Sequence, residues 1–349
     1  MTEKQHLVFR LPHKGASCKA IEAQLEPLPS FDKHEVLVKI KSIALNYRDI
    51  AICNGNYPGG AKDSLVPCSD ACGEVVEIGS DVRDFQVGDR VLSLFSPNTL
   101  YGTAQKNNVS LGGLLDGVLQ EYRVFPEYGL VKLPKESKMT DSEAASLVCA
   151  GTTVWNAFYG NIPLKPGQTV LLQGTGGVSI IGLQVARAAG AVTIITSSSD
   201  EKLKYVKEKY GADYTINYRT HPDWQNEVLE YTGGWGVDYV IENGGIGTIQ
   251  KSVESLVNGG TIALIGFLSS ISPQNRPDVT LLALMKSAVV CGILVGSKQQ
   301  QEELVRFAVA KDLHIAVDKE FEFTEEGIFN AFEYLKAQSH IGKVCIRLA

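Results

Sequence analysis

The stretch Thr169-Val170-Leu171-Leu172-Gln173-Gly174-Thr175-Gly176-Gly177-Val178-Ser179 decides the reading of this chain. Residues 169–172 have the apolar run of a buried strand, and 178–189 the composition of a helix, so the glycines lie at a strand-to-helix turn. Glycine allows the tight turn and lets the backbone approach a diphosphate, whose charge the helix N-terminus then stabilises. The last small position of the G-x-G-x-x-G pattern is Ser179, which still permits close packing of helix on strand. In this setting Gly174, Thr175, Gly176, Gly177 and Val178 are candidate cofactor-binding residues.

Working outward, the alternation continues. Strands are expected at 192–196, 214–216, 237–241, 261–265 and 288–294, with helices at 200–210, 224–230 and 249–257. Strands that are apolar on both faces and separated by helices imply a parallel sheet covered on both sides. Six of them are the number in a doubly wound dinucleotide fold. Upstream the pattern is β-rich. Val36, Val38 and Ile40 alternate with Glu35, Lys39 and Lys41, and further strands are expected at 72–79 and after the Gly88-Asp89 turn. A helix is expected over 141–159, two more at 300–310 and 325–337, and a closing strand at 343–348. The expected fold is α/β, with a β-rich domain formed by both chain ends (1–136 and 296–349) and a doubly wound parallel-sheet domain (137–295) inserted between them.

Composition narrows the function. The 349 residues carry 33 Lys+Arg against 39 Asp+Glu, a net charge of −6 with no basic run, so neither nucleic acid nor an anionic membrane is an expected partner. The longest apolar runs are too short for a bilayer, and the start Met1-Thr2-Glu3-Lys4-Gln5-His6 lacks the apolar core of a secretion signal. Seven scattered cysteines, an odd number, suit reduced thiols and a cytoplasmic location.

The second strand of the α/β run selects the nucleotide. A ribose 2′-hydroxyl is usually met by an acid at this strand's tip. Here the strand runs into Ser197-Ser198-Ser199, with Asp200-Glu201-Lys202 following. Hydroxyls and a lysine suit a 2′-phosphate, each hydrogen bond to a charged group contributing roughly 1.5–3 kcal/mol. NADPH is therefore expected over NADH. Ser199 and Asp200 can at the same time cap the next helix.

Several segments in order carry a resemblance: Leu45-Asn46-Tyr47-Arg48-Asp49, Cys68-Ser69-Asp70-Ala71-Cys72-Gly73-Glu74-Val75, Val87-Gly88-Asp89-Arg90-Val91, Ala150-Gly151-Thr152-Thr153, the glycine loop, and Gly342-Lys343-Val344. Over nearly its full length the chain resembles the medium-chain dehydrogenase/reductase superfamily. That implies a GroES-like catalytic domain joined to a Rossmann domain, with the active site in the cleft between them. Zinc-dependent members bind the metal through a Cys in the first segment and a Gly-His-Glu in the second. Here those positions read Asn46 and Cys68-Ser69-Asp70, and no cysteine occurs over 93–126. No zinc is expected, and Cys68 and Cys72 are expected to be buried, unligated thiols. The departure moves the resemblance to the zinc-free branch, similar to quinone oxidoreductases, ζ-crystallin-like proteins and enoyl reductases.

On that resemblance Asn46 and Thr153 would flank the nicotinamide, and Tyr57, in Gly55-Asn56-Tyr57, would face substrate. Lys202 and Tyr218 would contact the adenosine phosphate region together with Ser197 and Ser198. Asn243, Gly266, Phe267, Leu268, Leu294 and Val295 would line the nicotinamide side, and Lys343 matches a family lysine counted with the cofactor residues. Without a metal, hydride transfer to a quinone or an α,β-unsaturated carbonyl is the easier chemistry, because the charge spreads over a delocalised enolate that needs hydrogen-bond donors and a proton. Tyr57 is the first proton-donor candidate and Tyr47 the second, with Asn46 the third catalytic candidate. Each tyrosine has a plainer reading: Tyr57 closes a loop at Pro58-Gly59-Gly60, and Tyr47 packs in the barrel. Asp49 is expected to pair with Arg48 more readily than to act as a site carboxylate. The polar, glycine-hinged segment 98–117 reads as a substrate lid or as a plain exposed loop. An alcohol or carbonyl oxidoreductase, and an NADPH-binding protein with little catalysis, are the alternatives. The apolar strand 288–293 would be sticky at a sheet edge, so a homodimer is expected.

Overall fold

In the computed structural model, which describes residues 4–103, 108–269 and 271–348, the glycine loop does join a strand to a helix. Strand β1 (Thr169–Gln173) leads into α1 (Gly177–Ala188), then β2 (Val192–Ser197), α2 (Asp200–Tyr210), β3 (Tyr214–Asn217), α3 (Trp224–Tyr231), β4 (Val237–Glu242), α4 (Ile249–Glu254), β5 (Leu256–Leu264), α5 (Val279–Lys286) and β6 (Val289–Gly292). The six strands are parallel, in the order 3-2-1-4-5-6. This is the doubly wound Rossmann arrangement, and its strand order reverses beside β1. Leu171, Ile194, Val240 and Ile262 from the sheet pack with Trp224, Val228, Ile249 and Val253 from the helices, which covers one face. Helix α2 begins at the Ser199 cap, whose hydroxyl accepts from Lys202 N, and ends at Gly211 in the left-handed region, φ 73°.

A boundary and a whole element differ from the sequence expectation. The helix expected over 249–257 stops at Glu254, because Val237 N donates to Ser255 O and draws Leu256 into register with Val237. Helix α5 was not expected: Leu281, Leu284 and Met285 are exposed while Val279 and Leu282 pack partly buried on the core, so apolar residues fall all round it and mark no single face.

This parallel sheet belongs to a unit covering Thr153–Leu294; the other unit runs up to Thr152 and resumes at Val295. In that second unit the sheet order is Val317–Glu322, Lys343–Arg347, Glu35–Ala44, Asp70–Ile78, Arg90–Ser93, Leu130–Lys132, with Tyr122–Pro126 also pairing to Glu35–Ala44. The last strand lies antiparallel on Glu35–Ala44, with Cys345 opposite Ala44, so both chain ends build one sheet. Val36, Val38, Ile40 and Ile43 form its core with Val344, Ile346 and Phe332. Residues 137–152, assigned to the inserted domain on sequence, fall in this unit. Asp141 is held by Arg90, and Ser142 Oγ lies 2.8 Å from Ser42 Oγ. The single helix expected over 141–159 is broken into Asp141–Ala145, a π-helical turn Leu147–Gly151, and Thr152–Tyr159. No helix among the described residues is long and apolar enough to cross a membrane.

Candidate functional site

In the parallel-sheet unit, Gly174 adopts φ 78°, a left-handed conformation that favours glycine. A Cβ built on Gly174 or Gly176 would meet nothing within 4 Å, so the glycines border open space at the strand-to-helix turn. A diphosphate fits such a cradle, since a side chain there would fill it. Beside it, Asn243 Nδ2 donates to Gln173 O (3.1 Å) and Ser179 Oγ (2.9 Å), tying the ends of β1 and β4 to the first turn of α1. Below Asn243 lies Glu242, fully buried. Its carboxylate accepts from Gln173 Nε2 (2.8 Å), Gly245 N (2.8 Å), Thr248 Oγ1 (2.6 Å) and the Ser252 hydroxyl. This buried carboxyl group, absent from the sequence reading, shapes the turn that carries Asn243. The available signal was a carboxylate ending an otherwise apolar strand.

Gly266 lies against that turn: a Cβ there would come 2.2 Å from Asn243 O, so only glycine permits the approach. Phe267, Leu268 and Leu294 are exposed apolar side chains, whereas Thr153 is buried. At the tip of β2, Ser197 is buried, its carbonyl accepting from Tyr218 N at 3.0 Å. Ser198 and Lys202 are half-buried and Tyr218 is exposed. The nearest acid, Asp200, accepts from Asn217 Nδ2 at 2.8 Å.

In the β-rich unit, Asn46 precedes the short helix Tyr47–Cys53, which the sequence reading missed. Its backbone N–H donates to Asp49 Oδ2 (2.8 Å). Its Nδ2 donates to Asp70 Oδ2 (2.9 Å), and its Oδ1 accepts from Lys343 Nζ (2.7 Å). Lys343 is only 3% exposed; its ammonium also donates to Leu45 O (2.7 Å) and lies 3.8 Å from Asp70 Oδ2. Asp70 accepts further from Ser69 Oγ (2.6 Å) and from Cys149 N (3.1 Å), the latter presented by the π-helical turn. Such turns are frequent at functional sites.

Asp49 pairs with Arg48 at 3.4 Å, as expected, and both are buried. The Arg48 guanidinium also donates to Leu111 O (3.1 Å) and Ser110 Oγ (3.0 Å) and lies over the rings of Tyr57 (5.0 Å) and Phe95 (4.7 Å). Tyr57 O accepts from Gly60 N, closing the loop, while the ring packs on the core. Tyr47 is 45% exposed, not packed in the barrel. Of the segment 98–117, residues 104–107, Asn107 included, lie outside the described residues. Its C-terminal part is anchored: Gly112 and Gly117 lie so close to the Cys68 backbone that a Cβ would come within 2.6 and 2.0 Å. That part is a packed turn. Val295 has φ 54°, a strained conformation for a β-branched residue.

Cys68 and Cys72 are fully buried, and burial pushes both thiols well above the usual range. Among the described residues no three of His, Cys, Asp and Glu are grouped to hold a metal ion. The donor set around Asn46 does not fit zinc: of its two carboxylates, Asp49 is paired with Arg48 and Asp70 already accepts from the Asn46 amide, Ser69 Oγ and Cys149 N.

Burial raises the Asp49 carboxyl to about 6, with Arg48 opposing. An acid whose folded pKa lies above its unfolded one takes up a proton on folding between the two values, so its contribution falls as pH rises through that window. Asp49→Asn removes this titration. We expect the variant to gain on the parent, by on the order of 2–3 kcal/mol, as pH rises from about 4 to about 7. Urea midpoints at several pH values measure this; a constant difference would show that Asp49 does not titrate in that window.

Comparison with known proteins identifies both units. The family model described as "Zinc-binding dehydrogenase" matches residues 177–310, and that described as "Alcohol dehydrogenase GroES-like domain" matches 32–135. The chain is 42% identical over 321 residues to a zinc-type alcohol dehydrogenase-like protein of Schizosaccharomyces pombe, covering 90% of this chain and 91% of the relative. It is 28% identical over 334 residues to the acryloyl-coenzyme A reductase of Sulfurisphaera tokodaii, covering 92% and 94%. A crystal structure of a candidate alcohol dehydrogenase from Sinorhizobium meliloti superposes with a TM-score of 0.88 at 35% identity, over 100% of both chains.

Proposed function

From the premise that the chain belongs to the medium-chain dehydrogenase/reductase superfamily, we propose that it is an NADPH-dependent, metal-independent reductase of quinones or α,β-unsaturated carbonyls. The observation that carries this reading is the Asn46–Lys343–Asp70 set, in which the Asp70 carboxylate accepts from the Asn46 amide, Ser69 Oγ and Cys149 N, with the Lys343 ammonium 3.8 Å away. The dinucleotide, when bound, supplies the hydride. Residues 174–178 would hold its diphosphate, Ser197, Ser198, Lys202 and Tyr218 its adenosine phosphate, and Thr153, Asn243, Gly266, Phe267, Leu268, Leu294 and Val295 its nicotinamide end. Reduction of a conjugated carbonyl leaves charge on an oxygen that hydrogen-bond donors can stabilise, after which a proton completes the product. Tyr57, beside the buried Arg48 cation, is the proton donor we favour over Tyr47.

The acryloyl-coenzyme A reductase relative supports C=C reduction; the alcohol dehydrogenase names of the other two favour carbonyl chemistry as the second reading. The deciding experiment is NADPH turnover with a simple enone in chelator, the product identified by mass and NMR. A saturated ketone is expected. An allylic alcohol would establish the carbonyl reading, and NADPH binding without consumption would favour a non-catalytic role. Lys202→Ala should weaken NADPH without weakening NADH. We also propose a cytoplasmic homodimer built on the edge strand β6 and the neighbouring α5. Leu284 and Met285 there are each 73% exposed, and a second copy would cover them. A monomer by light scattering would remove that claim.

A further inference from the structure

The Asn46 amide is held between opposite charges. A primary amide has two acceptor lone pairs and two N–H donors. Its oxygen faces the Lys343 ammonium at 2.7 Å and its nitrogen faces the Asp70 carboxylate at 2.9 Å. The flipped amide would set N–H against ammonium and oxygen against carboxylate, so one orientation is enforced. Both neighbours polarise the amide the same way, and the low dielectric around buried Lys343 and Asp70 strengthens the effect. Asn46 itself is half-buried, and among the described residues its second Nδ2–H has no partner. Lys343, by contrast, is enclosed, its ammonium spent on Leu45 O, Asn46 Oδ1 and Asp70.

Resting on the reductase reading above, we propose that the free Nδ2–H of Asn46 is the hydrogen-bond donor to the acceptor oxygen that gains negative charge, and that Lys343 is its positioning residue, acting through Asn46 and not on the cofactor. The pair does without a metal what a Lewis acid does elsewhere: it offers positive character to a developing oxyanion. Asp70 fixes the amide from the other side and balances the Lys343 charge. The substrate class follows: an acceptor whose reduced form is an oxyanion, such as an enolate or a hydroquinone anion.

The test uses the full chain saturated with NADP+, in chelator, and 4-nitrophenol as an oxyanion probe whose ionised form is coloured. Wild type is expected to bind the phenolate in preference to the phenol, lowering the apparent pKa of the bound probe. Asn46→Ala and Lys343→Met should each reduce that preference about tenfold, and the double variant no further, because both act through one hydrogen bond. NADPH affinity, read by fluorescence, should stay within about twofold in each. Asn46→Ala leaves the Lys343–Asp70 pair in place, so the test stands even where Lys343→Met fails to fold. The proposal is overturned by a wild type with no preference for phenolate, by an Asn46→Ala that keeps it, by additive effects in the double variant, or by loss of NADPH affinity on changing Lys343. Because the probe reports without turnover, a protein that reduces no enone yet binds phenolate through Asn46 would refute the reductase reading alone. One that reduces enones with an unaltered probe response in Asn46→Ala would refute this inference alone.

Discussion

Gly176→Asp should lower NADPH affinity by at least 100-fold, about 3 kcal/mol, while leaving the melting temperature unchanged or raised. The two effects separate because of where Gly176 lies. It is the N-cap of α1, with φ −78°, a conformation any residue adopts, and a Cβ there meets no atom of the chain. Aspartate is among the best N-cap residues, since its carboxylate accepts from the orphan amides and complements the helix dipole. The same carboxylate would occupy the space proposed for the diphosphate and repel it. Fluorescence titration with NADPH and a thermal melt of the same sample measure both quantities. A fall in affinity under tenfold would place the diphosphate elsewhere.

The second large effect is expected at Tyr57. Tyr57→Phe keeps the ring under Arg48 and removes only the hydroxyl, so kcat with an enone should fall on the order of 100-fold, with NADPH affinity unchanged. Gly59→Ala provides an independent check. Its Cβ would come 2.6 Å from Tyr57 Cε1, so the ring has to move, whereas the backbone at residue 59 tolerates alanine. Both variants should lower kcat more than they raise KM for the acceptor. Unchanged turnover in Tyr57→Phe would pass the proton-donor role to Tyr47 or to water.

The Rossmann unit was legible in the chain because its signals are local. A run such as Thr169–Gln173 is apolar on both faces only if helices cover both, and Gly174 and Gly176 mark the turn where a side chain would intrude. The number of parallel strands followed from counting such runs. Ser199 marked the start of α2 for the same reason, since a cap is a property of a few adjacent residues. The motifs also placed Asn46, Tyr57 and Lys343 among the candidates, and paired Arg48 with Asp49, which are neighbours in the chain.

What the chain order hid depends on distance along it. Lys343 reaches Asn46 only because the last strand pairs antiparallel with Glu35–Ala44, bringing residues 298 and 297 positions apart to Leu45 O and Asn46 Oδ1. Taken alone, Lys343 reads as one more family lysine; its role as a buried partner of an amide exists only in the folded sheet. Asp70 and Cys149 join the same cluster through a bulged strand and a π-helical turn, neither of which has a periodic signature. Glu242 is similar: a carboxylate at a strand end reads as exposed until Gln173, Gly245, Thr248 and Ser252 are seen to enclose it. Helix α5 went unseen because its exposed face, Leu281, Leu284 and Met285, is as apolar as the face that Val279 and Leu282 set on the core. The sequence by itself determined the strand-to-helix alternation, the glycine cradle and the candidate residue types, all set by forces acting over a few residues. Tertiary structure alone decided which of those residues share a charge, because buried ammonium, amide and carboxylate groups persist only when a fold brings their partners to them.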